Sequence, residues 1–256
     1  MLNKLKDVGQ DVLGKFGLRI VRTSKLVDES LDMDQEFLST YNRCRPYSMT
    51  QMQRMYALYK AVEYVTRYQI LGDIVECGVW KGGSCMLCAL ELARHGSTDR
   101  QIYLYDTFKG MAPPTEKDVA FEGAGMKKRW HEMQSGEHHN EWCYSSLEDV
   151  KKAVFSTGYP KERFTFVEGK VEDTIPDVIP EKIAILRLDT DWYESTKHEL
   201  IHLFPRLVKN GVLIIDDYGH WKGAREAVDE YFKEQQTPML LHRVDYTGRT
   251  GIKVDA

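Results

Sequence analysis

The sequence predicts an α/β fold, a mostly parallel sheet with helices on both faces, preceded by a helical extension. Two observations predict it. From residue 72 onward, short apolar runs alternate with segments of helical periodicity, the pattern of parallel strands joined by crossover helices. Several of those runs also close on acids, as strand C-termini do where a parallel sheet opens onto a ligand-binding rim.

Residues 1–70 read as helices. Leu2, Leu5, Val8, Val12, Leu13 and Phe16 recur at helical spacing with lysines between them, a pattern suited to packing on a partner or subunit more than to a membrane surface. "DMDQEFLSTYNRC" gives a second helix. "MTQMQRMYALYKAVEYVTRYQ" gives a third, with Met52, Met55, Tyr56, Tyr59, Val62, Glu63 and Thr66 on one face. The strands expected next are 73–78, 101–106, 163–169, 182–189 and 211–217. Helices are expected at 83–95, 145–157, 194–208 and 221–235. The tail reads as two strands around a turn at "TGRTG" (247–251). Residues 107–144 break the rhythm. They are rich in Gly, Pro and charge but carry Phe121, Trp130, Trp142 and Tyr144, too many aromatics for a plain linker, so a lid is expected there.

Length and composition set bounds. The chain has 256 residues, 42% hydrophobic and 29% charged, with a net charge of −4. That suits a globular protein with a sizeable core and gives no basic field to recruit nucleic acid. No apolar run is long enough for a membrane span and no signal-peptide core is present, so a cytoplasmic location is expected. The five cysteines form no disulfide framework. Cys85 and Cys88 make a C-x-x-C inside a helical pattern and are expected as packed thiols.

Chemistry concentrates at the strand ends. "DIVECGVWKGGS" is a strand, a turn with Gly78, Gly82 and Gly83, then a helix. Glycines there let the backbone turn sharply and let a ligand approach. The spacing matches neither the dinucleotide fingerprint nor a P-loop. The following strand ends at Asp106, where an acid can accept from a ribose diol. The third ends at "FVEGKVEDT", placing Glu168, Gly169, Val171 and Glu172 on the same rim, where part of an adenine slot could form. Asp189 ends strand four, and Asp216 and Asp217 end strand five. Taken singly, each aspartate is served as well by a helix cap, by solvent, or by an ion pair to Arg187. Converging as a set, three carboxylates would repel one another, a cost a divalent cation removes, and an all-oxygen set suits Mg²⁺ or Ca²⁺. Asp191 lies two residues beyond Asp189. If the segment is extended both point the same way, making Asp191 a fourth ligand, a general base, or the cap of the next helix.

In this order, "VECGVWKGGS", "YDTFKGM", "VEGKVEDT", "LRLDTDWYEST" and "GVLIIDDYG" together resemble the macrocin O-methyltransferase (TylF-like) family over roughly residues 45–250. The resemblance implies a Rossmann-like class I methyltransferase domain, 71–256, with a seven-stranded sheet. It implies S-adenosylmethionine as methyl donor, Mg²⁺, and a sugar hydroxyl on a natural-product glycoside or glycan as acceptor. Carried onto this chain, Glu76, Gly78, Gly82 and Ser84 would serve the amino-acid end of the donor. Asp106 would hold the ribose, and Glu168, Gly169, Val171 and Glu172 would border the adenine. Asp189, Asp216 and Asp217 would bind the metal, with Asp191 as the base. Catechol-type enzymes carry a lysine base three residues after the first metal acid. Trp192 stands there, so that mechanism is absent and a catechol acceptor is disfavoured.

The N-terminal helices make a homodimer the expected assembly. His138, His139 and His220 are candidate acceptor contacts. Two rival readings are a metal-dependent glycosyltransferase using Asp189-Thr190-Asp191 and a non-catalytic subunit that binds the methyl donor. The first leaves Asp216, Asp217 and the glycine turn without a task. Loss of an acid would favour the second, and every acid is present.

Overall fold

The computed structural model describes residues 30–136 and 139–254. The N-terminal amphipathic segment and His138 lie outside the described residues. Two compact units separate at Asp34, and the second runs from Gln35. The expectation of a cap through residue 70 is therefore revised. Helices α1 (Gln35–Cys44) and α2 (Met52–Arg67) belong to the sheet's own unit. The reason is burial: Phe37, Tyr41 and Cys44 of α1, and Met55, Leu58, Tyr59, Ala61, Val62 and Val65 of α2, are core residues. That face takes in Met55, Tyr59 and Val62 of the expected stripe but is rotated towards Leu58, Ala61 and Val65.

Seven strands form one sheet: β1 (Asp73–Cys77), β2 (Ile102–Asp106), β5 (Phe164–Glu168), β6 (Ile183–Leu188), β7 (Leu207–Ile215), β8 (His242–Arg243) and β9 (Arg249–Ile252), in the order β5-β2-β1-β6-β7-β9-β8. The pairs among β5, β2, β1, β6 and β7 are parallel. β9 pairs antiparallel with both of its neighbours, β7 and β8. Central strands β1 and β6 are flanked on both sides and covered on both faces, so all of their residues but Asp73 are buried. The crossovers are α3 (Gly83–Arg94), α5 (Leu147–Phe155), α7 (Tyr193–Leu203) and α8 (Lys222–Glu234), with a single turn, α6 (Val171–Thr174), after β5. Cys85 and Cys88 are buried free thiols on α3, and burial raises both pKa values.

The tail differs from its expectation by a few residues. The turn lies at 244–248, ahead of "RTGI", which forms β9. Asp245 decides this. Its Oδ1 accepts from the N–H groups of Thr247 (2.9 Å) and Gly248 (2.7 Å), closing an Asx-type turn.

The segment 107–144 carries a short helix, α4 (Lys127–Glu132), and an antiparallel pair, β3 (Gln134–Gly136) with β4 (His139–Asn140). It packs through a separate apolar cluster of Ala120, Met126, Trp142, Trp192, Trp221 and Ala224. Among the described residues no helix is long and apolar enough to cross a membrane.

Candidate active site

Strand direction sets the site. β1, β2, β5, β6 and β7 all end on one rim, and a cavity of about 300 Å³ opens there, lined by Gly78, Ser84, Asp106, Asp189, Asp191, Asp216 and Asp217 among others. A smaller cavity of about 70 Å³ shares Gly78, Asp106, Gly110, Met111 and Asp189 with it and continues to Gly169, Val171, Glu172 and Ser195.

The glycine turn joins the two cavities. Gly78 has φ +84°, and a Cβ there would stand 2.1 Å from the carbonyl oxygen of Asp189, so only glycine lets β1 and β6 end this close together. Asp106 folds the turn. Its Oδ2 accepts from the N–H groups of Val79 (2.7 Å) and Trp80 (3.0 Å), and its Oδ1 from Phe108 (2.7 Å). Burial raises its pKa against the opposing pull of these three donors. A ribose diol would thus meet a carboxylate with most of its capacity already filled.

Not every expected residue reaches the cavities. Glu76 is buried beneath them, bonded by Ser84 Oγ (2.6 Å), Cys85 Sγ (2.6 Å) and Arg187 Nη1. It acts on the site through Ser84 and Arg187. Gly82 faces Val150 and Val154 of α5 and starts α3 in the left-handed region. Glu168 is exposed and pairs with Lys109 at 3.1 Å. Gly169, Val171 and Glu172 do line the smaller cavity, and Glu172 accepts from Ser195 Oγ at 2.7 Å.

The aspartates converge. One oxygen each of Asp189, Asp216 and Asp217 fall within 4.8 Å of one another. Arg187 Nη1 lies 2.8 Å from Asp189 Oδ2, and Nη2 lies 2.8 Å from Asp216 Oδ1 without hydrogen-bond geometry. Arg54 bonds the other oxygen of Asp216 and also Asp245 at 3.0 Å. Asp217 Oδ2 is buried without a hydrogen-bond partner. Burial first, then Asp191 and Asp189, push the Asp217 carboxyl well above the usual range. The donor set is therefore all carboxylate, under-satisfied and short of positive charge, which fits a hard divalent cation.

Asp191 is not extended. Its φ is +71° and Trp192 N–H donates to Thr190 O at 2.9 Å, the three-residue bond of a γ-turn with a strained apex. This corrects the extended reading that would have aimed Asp189 and Asp191 the same way. Asp191 also does not cap α7. Asp118, from the lid segment, takes that place by accepting from Tyr193 N–H at 2.8 Å. The Asp191 carboxylate is instead gripped by the Trp221 indole N–H at 2.6 Å. Burial, then Asp189, push its pKa up to about 7, the range of a general base.

Trp142, Trp192 and Trp221 stack edge to face, with ring centres 5.2–6.5 Å apart. The indole N–H groups of Trp192 and Trp130 donate to Ala112 O and Met111 O, both at 2.8 Å, fastening the strap beside the cavity. His220 lines the cavity with its pKa lowered by burial. His139 pairs with Glu141 at 2.9 Å, away from it. The sequence reading passed over Arg54, Asp118 and Trp221. A cation or aromatic near an acid motif is a weak signal until topology brings the two together.

Comparison with known proteins identifies the family and the fold. The family model for macrocin-O-methyltransferase (TylF) matches residues 22–250. The 8-demethyl-8-(2,3-dimethoxy-alpha-L-rhamnosyl)-tetracenomycin-C 4'-O-methyltransferase of Streptomyces olivaceus is 33% identical over 202 residues, 79% of this chain and 74% of that one. The solved O-methyltransferase NovP superposes with a TM-score of 0.71 at 28% identity, over 81% of this chain and 82% of the other. The O-methyltransferase TomG from Streptomyces achromogenes, solved with S-adenosylmethionine, shares the fold at a TM-score of 0.51 and 12% identity, over 98% and 99% of the two chains. The chain belongs to the macrocin O-methyltransferase family and is an S-adenosylmethionine-dependent O-methyltransferase.

Proposed function

We propose that the protein methylates a sugar hydroxyl on a small-molecule glycoside or glycan, with Mg²⁺ held by Asp189, Asp216 and Asp217 and with Asp191 as the base. The observation that carries this reading is the convergence of those three carboxylates within 4.8 Å, beside Asp191 and in a cavity continuous with the glycine turn. When bound, S-adenosylmethionine supplies the electrophilic methyl group and Mg²⁺ the Lewis acidity that makes an alcohol proton easier to remove.

The chain does the rest. Gly78 and Ser84 give the donor a close backbone and a polar edge. Gly169, Val171, Glu172 and Ser195 suit a nucleobase. Asp191 receives the hydroxyl proton at the carboxylate that Trp221 orients, and the tryptophan cluster shields that transfer from water. The acceptors named for relatives are sugars on antibiotics, the rhamnosyl tetracenomycin among them. Trp192 at the lysine position of catechol-type enzymes also favours a sugar over a catechol.

Asp191→Asn should leave S-adenosylhomocysteine binding intact and lower kcat by about 10²-fold or more. Chelation by EDTA should abolish turnover and Mg²⁺ restore it. Full activity in EDTA removes the metal from the reading, and near-normal turnover of Asp191→Asn removes the base.

A further inference from the structure

The cations around the larger cavity are unequally committed. Arg54 lines it but is held by Asp216 and Asp245. Arg187, beneath, is held by Glu76, Asp189 and Asp216. His220 also lines the cavity, with its pKa lowered by burial. Arg129 also lines the cavity, and its side chain makes no hydrogen bond or ion pair with any described residue. On α4 it follows two lysines that are paired, Lys127 with Glu116 at 2.5 Å and Lys128 with Glu132 at 3.8 Å. Only the third cation of the run is turned to the cavity, and only it lacks an acid.

Arg129 is nonetheless positioned. Its guanidinium lies over the ring of Trp142, 4.4 Å from the centroid, and Trp142 is itself buried. The helix carrying it is tied down through Trp130 Nε1 to Met111 O at 2.8 Å and Asn140 Nδ2 to Trp130 O at 2.8 Å. A guanidinium held against an indole keeps its planar fork of N–H donors for a carboxylate or phosphate. It lines the cavity together with Trp142 and Cys143 of the same lid segment.

Resting on the reading of this cavity as the acceptor site, we propose that the acceptor is an anionic sugar, whose phosphate or carboxylate is bound by Arg129 while its hydroxyl lies at Asp191. The ordinary alternative, a neutral glycoside, leaves the N–H fork of Arg129 without an anionic acceptor.

The test is calorimetric titration of the protein saturated with Mg²⁺ and S-adenosylhomocysteine. Three probes are used: UDP-glucose (pyrophosphate), methyl glucuronide (carboxylate) and methyl glucoside (neutral). At least one charged probe should bind about tenfold or more tighter than the neutral one. Arg129→Ala should erase that difference, Arg129→Lys should restore part of it, and S-adenosylhomocysteine affinity should not change. A preference for UDP-glucose points to a nucleotide-linked sugar, and one for the glucuronide to an acidic glycan. Equal binding of charged and neutral probes by the unsubstituted protein, or no binding of any, overturns the proposal. So does an Arg129→Ala loss shared by the neutral probe or by S-adenosylhomocysteine. Failure to methylate any glycoside, with the Arg129-dependent preference intact, would instead overturn sugar methylation and leave the anion subsite standing.

Discussion

At the scale of single residues, two positions carry the site's precision. Gly78 is fixed by the 2.1 Å gap between a Cβ and Asp189 O and by its positive φ. Gly78→Ala should therefore cost about 2 kcal/mol or more in chemical denaturation and separate the two halves of the site. Trp221 is fixed by its hydrogen bond to the proposed base. Its indole N–H is the donor that holds Asp191 at the apex of a strained turn. Trp221→Phe keeps the ring in the tryptophan cluster and deletes the donor. A hydrogen bond to a charged group is worth about 1.5–3 kcal/mol, so kcat should fall about 10–100-fold with the KM for S-adenosylmethionine unchanged. An equal rise in KM would mean that Trp221 shapes the pocket and does not orient the base. Neither residue could be given its role from sequence. The glycine turn was legible as a strand-to-helix turn, but which backbone it must clear depends on the β1–β6 register. Trp221 is separated from Asp191 by thirty positions, and nothing local links them.

Helix α7 shows how an element is tuned to the rim. Its first turn is satisfied from outside by Asp118, which also accepts from Thr115 N–H (2.6 Å) and Thr115 Oγ1 (2.8 Å) and is fully buried. Asp118→Ala should lower stability by about 1–3 kcal/mol and raise the KM for the acceptor, since the lid segment loses one of its attachments to the fold. Deeper in the same helix, Glu199 is fully buried, with Thr190 and Cys77 beside it as weak support for its charged form. Burial raises its pKa well above the ordinary value. The folded protein therefore keeps this proton to higher pH, while the unfolded chain loses it above the ordinary glutamate value of 4.5. Stability is complete below that value and is lost as pH rises from there towards the folded pKa. Glu199→Gln removes the titration, so the variant should match the parent at pH 4 and exceed it at pH 8 in urea melts. A variant that is less stable at both would show that Glu199 contributes through packing. The element pattern itself was the most legible part. Five parallel strands and their helices follow from hydrophobic periodicity alone. What the periodicity could not show was the γ-turn at Asp191, because one left-handed residue leaves no trace in a pattern of apolar spacing.

Across the whole molecule two arginines that the fold brings in from other elements offset part of the negative charge at the rim. Arg54 on α2 reaches Asp216 after β7 and Asp245 in the C-terminal turn, while Arg187 on β6 reaches Glu76 on β1, Asp189, Asp216 and Thr50. The carboxylates of Asp189 and Glu76 hold the Arg187 pKa well above its ordinary value despite burial. This chain of charges links α2, β1, β6, β7 and the tail, beside the apolar burial that places α1 and α2 in the sheet's unit. Sequence shows the acids as a motif because they cluster at strand ends, but Arg54 stands 162 positions from Asp216 and is one basic residue among 35 lysines and arginines. Buried ion pairs contribute little net stability when complete and cost about 3–5 kcal/mol when one partner is removed. Arg187→Met strands Glu76 and should lose about that much. Adding Glu76→Gln removes the stranded charge, so the double variant should be more stable than Arg187→Met alone, because the two sites share one network. If the two losses simply add in a denaturation cycle, Glu76 is held by Ser84 and Cys85 independently of Arg187, and the network is two separate contacts.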